Sequence, residues 1–551
     1  MLRSLALVPA LAVVSMLALL GWAPVAALQE GAAPRVLRVN WGYFPETLDP
    51  QLSHSGQWPI SGGVDYEGLT RIDEERQVAP GAAESWEFGP DGTTLTFHLR
   101  EGMVFSDGVP VSAEHFRYAM ERMCSPELDS ASASYYFDVI GCEALFAAED
   151  AAAAEAAKAS LGVRAIDPQT LEYSFDQPAP YFPVVASNWG TIPLRQELVE
   201  AGGADWWANP DTRIGNGPFN LVEYDADGDD RHLTYVRNDR YWNGPTKLDG
   251  LEFLFLDYHD PATQDAYQRG EFDVNWPAEE LMPAIEADPI LSRELLFMPV
   301  AGTQYLSFNL TREPFTDQKV REAFAYAFDR EGWCREIQYD ACTPALSWIS
   351  PGAPGAIETE AFAFDPAKAR QALAESSYGG PENLPEVVWY VGEDDPDSAR
   401  DATWLTALFR QVLDVELTIT EISEEEYDAM YASDEPETWP QLDGGVWWGD
   451  PDPRDWFVVW RCGSEFNQGY CNPELDALLD RADAELDPAK RIALYEEAGH
   501  MLVADAPAIF LNTSFSQVLV KPYVVGYSRT APNGNYPGWT NLLTVDVVPV
   551  E

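Results

Sequence analysis

A stretch of unusual composition occurs late in the chain and reads Gly445-Val446-Trp447-Trp448-Gly449-Asp450-Pro451-Asp452-Pro453. The two tryptophans supply flat apolar faces, and Gly449 allows the backbone to approach another group closely. Asp450 follows at once, and the prolines stop regular structure. A carboxylate beside indole rings suits an ammonium group, because charge-assisted hydrogen bonds contribute roughly 1.5–3 kcal/mol and the rings add cation–π attraction. The stretch therefore predicts a cation-binding site at Asp450.

The same residues also fit a plain structural interpretation. Val446 and Trp447 are typical of a core strand, and Asp-Pro sequences are common in turns. The local sequence is compatible with both interpretations, so the rest of the chain has to decide between them.

The composition indicates a large, acidic, globular protein. A chain of 551 residues is too long for one hydrophobic core, so we expect two or three domains. Hydrophobic residues make up 46% of the chain and aromatic residues 12%, which is enough to build such cores. The 34 Lys and Arg against 91 Asp and Glu give a formal net charge of −57. A surface of this sign repels nucleic acid, so no nucleic-acid partner is expected.

The N-terminal segment has the features of a secretory signal peptide. Arg3 precedes an apolar run over residues 5–22, and Val25 and Ala27 place small residues before a cut after Ala27. The length of the run also permits a membrane anchor, but the small residues favour cleavage. No cysteine lies near the cut, so a lipoprotein is not expected. We predict an exported protein, periplasmic or extracellular.

The six cysteines fall into three pairs that are close in sequence. In an exported chain this pattern predicts three local disulfides. The pairs are Cys124 with Cys142, Cys334 with Cys342, and Cys462 with Cys471. A zinc site would need tighter spacing or clustered histidines, so neither a metal nor a cofactor is predicted.

Hydrophobic periodicity predicts strands that alternate with helices, which favours an α/β fold. The predicted helices include residues 113–123, 399–413, 473–484 and 488–505. The predicted strands include residues 304–309, 386–391, 416–422, 508–511 and 517–520. The chain contains none of the GxSxG, HExxH or Walker sequences that mark common catalytic sites.

A series of short motifs accompanies these elements along the chain. In order, they are Leu48-Asp49-Pro50, Tyr66-Glu67-Gly68-Leu69, Ala83-Glu84-Ser85-Trp86, Thr96-Phe97-His98-Leu99-Arg100, Phe105-Ser106-Asp107-Gly108, Pro178-Ala179-Pro180-Tyr181-Phe182, Arg237-Asn238 with Tyr241-Trp242, Phe315-Thr316-Asp317, Trp447–Asp450 and Val520-Lys521-Pro522-Tyr523. Together they resemble the family 5 solute-binding proteins of ABC importers, and within that family the periplasmic oligopeptide-binding proteins. The resemblance extends over essentially the whole chain after residue 34.

The resemblance implies an α/β fold of the type II periplasmic-binding-protein class, a two-lobed clamshell with three domains. The expected limits follow the predicted signal peptide at residues 1–27. Domain I comprises residues 34–74, 186–300 and 516–551, domain II comprises residues 75–185, and domain III comprises residues 301–515.

The resemblance also implies a function without catalysis. Such a protein encloses a peptide by hinge closure and delivers it to the permease subunits of an ABC importer, which an ATPase partner drives. We expect a monomer. Asp450 corresponds to the aspartate that binds the peptide's α-ammonium group, and Trp447 corresponds to an aromatic wall. Tyr305, Trp448 and Gly449 complete the predicted ligand-binding residues.

One departure from the family pattern affects the expected ligand. Oligopeptide-binding proteins can carry a basic residue six positions before the aspartate, where it meets the carboxylate of a short peptide. This chain has Gly444 at that position, beside Asp443. We therefore expect tolerance of longer peptides or a different class of ligand.

Two alternatives remain open from sequence. The same fold could bind another solute, such as an oligosaccharide, because a cleft rich in tryptophan (the chain has 19) suits sugars as well. An exported glycoside hydrolase would instead require two carboxylates at a defined separation across a cleft.

Overall fold

The computed structural model describes residues 34–52, 63–228, 231–393, 396–431, 438–464, 466–527 and 542–548. The predicted signal peptide lies outside these residues. The description below concerns the compact unit Arg35–Glu551. None of its described helices is both long enough and apolar enough to cross a membrane.

The described strands, in chain order, are β1 (Val36–Asn40), β2 (Thr70–Ile72), β3 (Val78–Pro80), β4 (Ala83–Phe88), β5 (Thr94–Leu99), β6 (Val163–Asp167), β7 (Thr170–Ser174), β8 (Phe219–Asp225), β9 (His232–Arg237), β10 (Gly250–Leu254), β11 (Val274–Asn275), β12 (Leu295–Pro299), β13 (Gly302–Phe308), β14 (Cys342–Pro344), β15 (Val387–Gly392), β16 (Leu417–Ile422), β17 (Leu442–Trp448), β18 (Ala508–Val520), β19 (Val524–Val525) and β20 (Asp546–Val547).

The described α-helices are α1 (Ala113–Met123), α2 (Cys142–Phe146), α3 (Ala151–Ala159), α4 (Phe182–Val185), α5 (Gln196–Gly202), α6 (Pro261–Arg269), α7 (Met282–Ala287), α8 (Leu291–Glu294), α9 (Gln318–Ala327), α10 (Arg330–Glu336), α11 (Pro366–Glu375), α12 (Pro396–Leu413), α13 (Glu424–Tyr431), α14 (Pro453–Phe457), α15 (Pro473–Ala484) and α16 (Pro488–Asp505).

Several helices begin with the same local signal, an Asp or Asn followed by proline. The acidic or amide side chain accepts hydrogen bonds from backbone N–H groups of the first turn, and proline has no N–H that would be left unbonded there. Asp487 caps α16 in this way, and Asn472 caps α15. Asp452 caps α14, so Pro453 begins a short helix rather than only ending regular structure.

The largest sheet has the strand order β16-β15-β17-β13-β18-β11-β1-β10-β9-β8. Strand β18 belongs to both halves of this sheet. Its residues 508–512 pair with β13 in the half that contains β13–β17, and its residues 515–520 pair with β12 and β11 in the half that contains β1. The sequence predicted two separate strands here, and the structure has one strand of 13 residues. β12 and β13 follow each other along the chain, and both run antiparallel to β18. Together they form one side of a two-stranded ribbon, with β18 as the other side, and this ribbon connects the halves.

A second sheet, of order β4-β5-β7-β6, packs against α1 around its own hydrophobic core. Separate cores lie under each half of the large sheet. Arg122 on α1 pairs with Asp49 at 2.6 Å and so ties the smaller sheet to the half that contains β1. The architecture is the expected mixed α/β fold with two lobes.

The three predicted cysteine pairs are disulfide-bonded. Their Cα atoms lie 5.1 Å apart for Cys124–Cys142, 5.4 Å for Cys334–Cys342 and 4.3 Å for Cys462–Cys471. Each bridge closes a short loop at the end of a helix or beside one.

Candidate functional site

Strand β17 carries the tryptophans of the opening stretch and ends beside Asp450. One edge pairs with β13 along its whole length, with Tyr305 opposite Gly445 and Gly302 opposite Trp448. On the other edge β17 meets β15 only at Leu442, opposite Trp389. Among the described strands, none pairs with residues 443–448 on that side, so this edge can accept a further strand.

Asp450 lies just after the end of β17 and contacts the opposite lobe. Asn188 donates a hydrogen bond from Nδ2 to the Asp450 Oδ2 at 3.2 Å. The backbone N–H of Asp450 donates to Asp455 Oδ2 at 3.0 Å, and the indole of Trp456 donates to the Asp450 carbonyl at 3.1 Å. The backbone of Asp450 is therefore held by α14, and its carboxylate is held by the other lobe.

No ion pair between described residues includes Asp450. The nearby cation is Arg76, on the turn between β2 and β3, which donates to the carbonyl of Gly449 at 3.4 Å. Burial raises the pKa of Asp450, while the Asn188 hydrogen bond and the charge of Arg76 oppose that rise. Burial, followed by repulsion from Asp450, raises the pKa of Asp455 to about 8. The site is a desolvated pair of carboxylates that favours an incoming cation.

Asn188 contributes a second unsatisfied group. Its side chain is 2% exposed, and its Oδ1 atom has no hydrogen-bond partner among the described residues. A buried carbonyl oxygen without a donor costs roughly 1–3 kcal/mol, and a ligand N–H group would remove that cost. The carboxylate of Asp450 and the Oδ1 atom of Asn188 can thus both accept hydrogen bonds from one small donor group of a ligand.

Gly449 has a packing reason for lacking a side chain. A Cβ atom at this position would lie 2.0 Å from Cε2 of Trp456, whose side chain is fully buried. The sequence predicted that another group approaches the backbone of Gly449 closely. In the structure this group is the indole ring of Trp456. This contact fixes the turn that presents Asp450.

The three predicted aromatic residues differ in exposure. Trp448 is 44% exposed and lies over Gly302, so its face is available at the surface. Trp447 is partly buried and packs against Phe466, with 5.9 Å between ring centroids. Tyr305 packs edge-on against Trp348 at 5.1 Å, so much of its ring serves the core.

A cavity of about 540 Å³ opens along the unpaired edge of β17 at residues 444–446. Its walls are formed by β13, β15 and the beginnings of α12 and α13, and Tyr305 is one of its lining residues. The structure thus brings Tyr305 to the same cleft as the β17 edge.

Contacts between the two lobes surround this site. Arg454 of α14 pairs with Asp138 at 2.6 Å and lies over the ring of Tyr181 at 4.2 Å. Tyr181 donates to the same carboxylate at 2.7 Å. Further along, a Cβ atom at Gly92 would lie 2.6 Å from Leu486. The structure therefore shows the lobes in contact beside Asp450.

Sequence reasoning missed Asn188, Arg76 and Asp455 as parts of the site. Asp455 had a usable signal, because it follows Asp450 by one helical turn in the same motif. Asn188 and Arg76 had none, since they are 262 and 374 residues away from Asp450 along the chain.

Residues 77–469 match the family model described as bacterial extracellular solute-binding proteins, family 5. The chain belongs to this family. It is a family of binding proteins, and its members are extracytoplasmic.

Two curated relatives and one solved structure illustrate the similarity. The chain is 30% identical to the probable deoxycholate-binding periplasmic protein YgiS of Escherichia coli, over 91% of this chain and 92% of the relative. It is 27% identical to the periplasmic oligopeptide-binding protein OppA of Escherichia coli, over 92% of both chains. The structure of Haemophilus influenzae OppA in complex with the peptide RPPGFSPFR has a TM-score of 0.73, at 23% identity, over 94% and 100% of the chains. These similarities confirm the predicted clamshell fold.

Proposed function

We propose that the protein captures peptides and delivers them to an ABC importer. The peptide's α-ammonium group binds Asp450 and the Oδ1 atom of Asn188, and its backbone pairs with the free edge of β17. The single observation that carries this proposal is the position of a desolvated carboxylate without an ion-pair partner among the described residues, at the end of an unpaired strand edge. Strand addition supplies affinity through main-chain hydrogen bonds and leaves side-chain choice to the surrounding pockets.

Hinge closure follows from the way the lobes are connected. The ribbon of β12, β13 and β18 is the link between the halves of the large sheet, so small changes of backbone angles near residues 300 and 514 can move one lobe against the other. We include in the proposal the domain limits at residues 74/75, 185/186, 300/301 and 515/516. The limits 300/301 and 515/516 are supported by the separate cores and by the division of β18. The core around the smaller sheet also includes Leu69, Ala186 and Trp189, just outside the limits 74/75 and 185/186.

The geometry favours peptides over the other ligand classes. A neutral sugar would leave the desolvated carboxylates at positions 450 and 455 without a countercharge. A bile acid, suggested by the name of one relative, would bring a further carboxylate toward them. No glycosidase chemistry is needed to explain either acid, because Asp455 already accepts a hydrogen bond from the backbone of Asp450.

The proposal is tested by identifying what the protein carries. We expect native mass spectrometry of protein purified from an exporting host to show bound peptides of mixed sequence, which calorimetry then confirms with synthetic tripeptides to pentapeptides. N-terminal acetylation removes the ammonium group and should weaken binding at least a hundredfold. A co-purified sugar or bile acid, together with indifference to a peptide library, would overturn the proposal.

Peptide binding is expected to release protons near neutral pH. In the ligand-free protein the pKa of about 8 at Asp455 leaves the pair partly protonated at pH 7, and burial raises the pKa of Asp450 as well. A bound ammonium group stabilises the ionised carboxylates and lowers both pKa values, so binding releases roughly 0.3–1 proton and affinity rises from pH 6 toward pH 8. Above about pH 8 the peptide's own amino group loses its charge and the rise ends.

Calorimetry at pH 7 in two buffers with different ionisation enthalpies measures this proton release. Asp455→Asn should reduce it, because that variant removes the group with the pKa near 8. Proton uptake on binding would contradict the proposed role of the pair.

A further inference from the structure

The cavity beside β17 has a one-sided charge. Its lining includes the carboxylates of Glu393, Asp401 and Asp443, and among the described lining residues there is no Lys, Arg or His. Asp443 accepts from the hydroxyl group of Tyr427 at 3.1 Å, a neutral partner. The cavity therefore presents negative charge to whatever occupies it.

Arg400, the chain neighbour of the lining residue Asp401, is already shared among several acids. It pairs with Asp397 at 2.7 Å, with Asp401 at 3.3 Å and with Glu279 at 3.4 Å. One guanidinium group thus faces a larger number of carboxylates.

Two other features of the cavity suit a cationic group. Aromatic side chains, among them Trp389 and Tyr390, contribute to its lining and can supply cation–π attraction. The Oε1 atom of Gln304, another lining residue, is buried and has no hydrogen-bond partner among the described residues. It is an acceptor without a donor, and an ammonium or guanidinium group would supply one.

Strand β17 sets the distance between this cavity and the ammonium site. Residues 443–446 line the cavity, and Asp450 lies four to seven residues further along the chain. At about 3.3 Å per strand residue, the separation is roughly 13–23 Å. A peptide that pairs with β17 advances by a similar rise, so its fifth to eighth residues lie beside the cavity.

We infer that the ligands are peptides with two cationic groups: an α-ammonium group at Asp450 and a Lys or Arg side chain, at the fifth to eighth position, in the acidic cavity. This inference rests on the proposed function, and it specifies the substrate class of the same cleft. A basic side chain in place of Gly444, which lines the cavity beside Asp443, would neutralise part of this charge.

The test compares alanine nonapeptides that carry one Lys, norleucine or Glu at position 5, 6, 7 or 8. Norleucine preserves the apolar stem of Lys without its charge. We expect calorimetry to give at least tenfold tighter binding for Lys than for norleucine at one of these positions, and the weakest binding for Glu. In the double variant Glu393→Gln with Asp443→Asn, the Lys preference should fall to less than threefold.

A matched control separates the cavity from the overall negative charge of the protein. The double variant Glu375→Gln with Glu474→Gln removes two charges from exposed helix positions and should keep the full Lys preference. Equal binding of Lys and norleucine peptides at all four positions would overturn this inference and leave peptide binding intact. Failure of every peptide to bind would overturn the proposed function, and this inference with it.

Discussion

The variant Asp450→Asn is expected to bind peptides with a free N-terminus roughly 100–1,000-fold more weakly than the wild type. Loss of one partner from a buried, hydrogen-bonded charge pair costs about 2–5 kcal/mol, and each 1.4 kcal/mol is a factor of ten in Kd. Asparagine preserves the shape of the side chain and its contact with Asn188, so the loss reports on charge. Calorimetry with a tripeptide at pH 7 measures the effect.

Two controls make this result specific. An N-acetylated tripeptide should bind weakly to both proteins and show less than a threefold difference between them, because it has no ammonium group. Asp455→Asn removes the neighbouring charge while an amide oxygen still accepts from the backbone of Asp450, and it should weaken binding less than tenfold. Retained affinity in Asp450→Asn would place the ammonium group elsewhere.

The second large effect is expected from Gly449→Ala. The added methyl group would lie 2.0 Å from Cε2 and 2.2 Å from Nε1 of Trp456, a rigid and fully buried ring. Overpacking of this kind typically costs 1–3 kcal/mol, and it also disturbs the hydrogen bond from Trp456 to the Asp450 carbonyl. We expect the midpoint of thermal unfolding to fall by about 5 °C or more, with weaker peptide binding because Asp450 is displaced.

Gly444→Ala is the matched comparison on the same strand. A Cβ atom at Gly444 meets no other atom within 4 Å, so the unfolding midpoint should change by less than about 1 °C. Scanning calorimetry of both variants separates the two glycines. Equal midpoints would show that the ring of Trp456 can move aside, and Gly449 would then be available for the close ligand approach that its sequence context suggests.

The two relatives with different named ligands show why the fold alone does not identify the solute. Relatives similar to this chain over about nine tenths of its length are named for deoxycholate in one case and for oligopeptides in the other. In the function proposed above, the carboxyl groups at positions 450 and 455 and the acidic cavity select cationic groups of the ligand.

Local chemistry explains which elements could be predicted from sequence. The predicted helices 113–123, 473–484 and 488–505 agree with the structure at both ends. The two C-terminal ones begin at Asn-Pro and Asp-Pro, and both signals act within one helical turn. The strand preceding Asp450 was visible for a similar reason, because apolar residues precede a proline that cannot extend it.

Longer elements with mixed environments were harder to predict. Residues 512–516 of β18 are mostly polar, so the pattern of hydrophobic residues predicted two strands where the structure has one. Their backbone hydrogen bonds go to partners on both sides of the junction between the lobes. That pairing holds the strand together without an apolar pattern.

The sequence by itself determined the family, the α/β class, the disulfide pairs and the identity of Asp450 as the leading candidate. Each depends on residues that are close in the chain or on motifs in a fixed order. The tertiary structure alone decided that Asn188 and Arg76 meet Asp450, that Trp456 occupies the space beside Gly449, and that Glu393, Asp401 and Asp443 line one cavity. These contacts join residues far apart in sequence, and only the packing of the lobes and sheets brings their charges and volumes together.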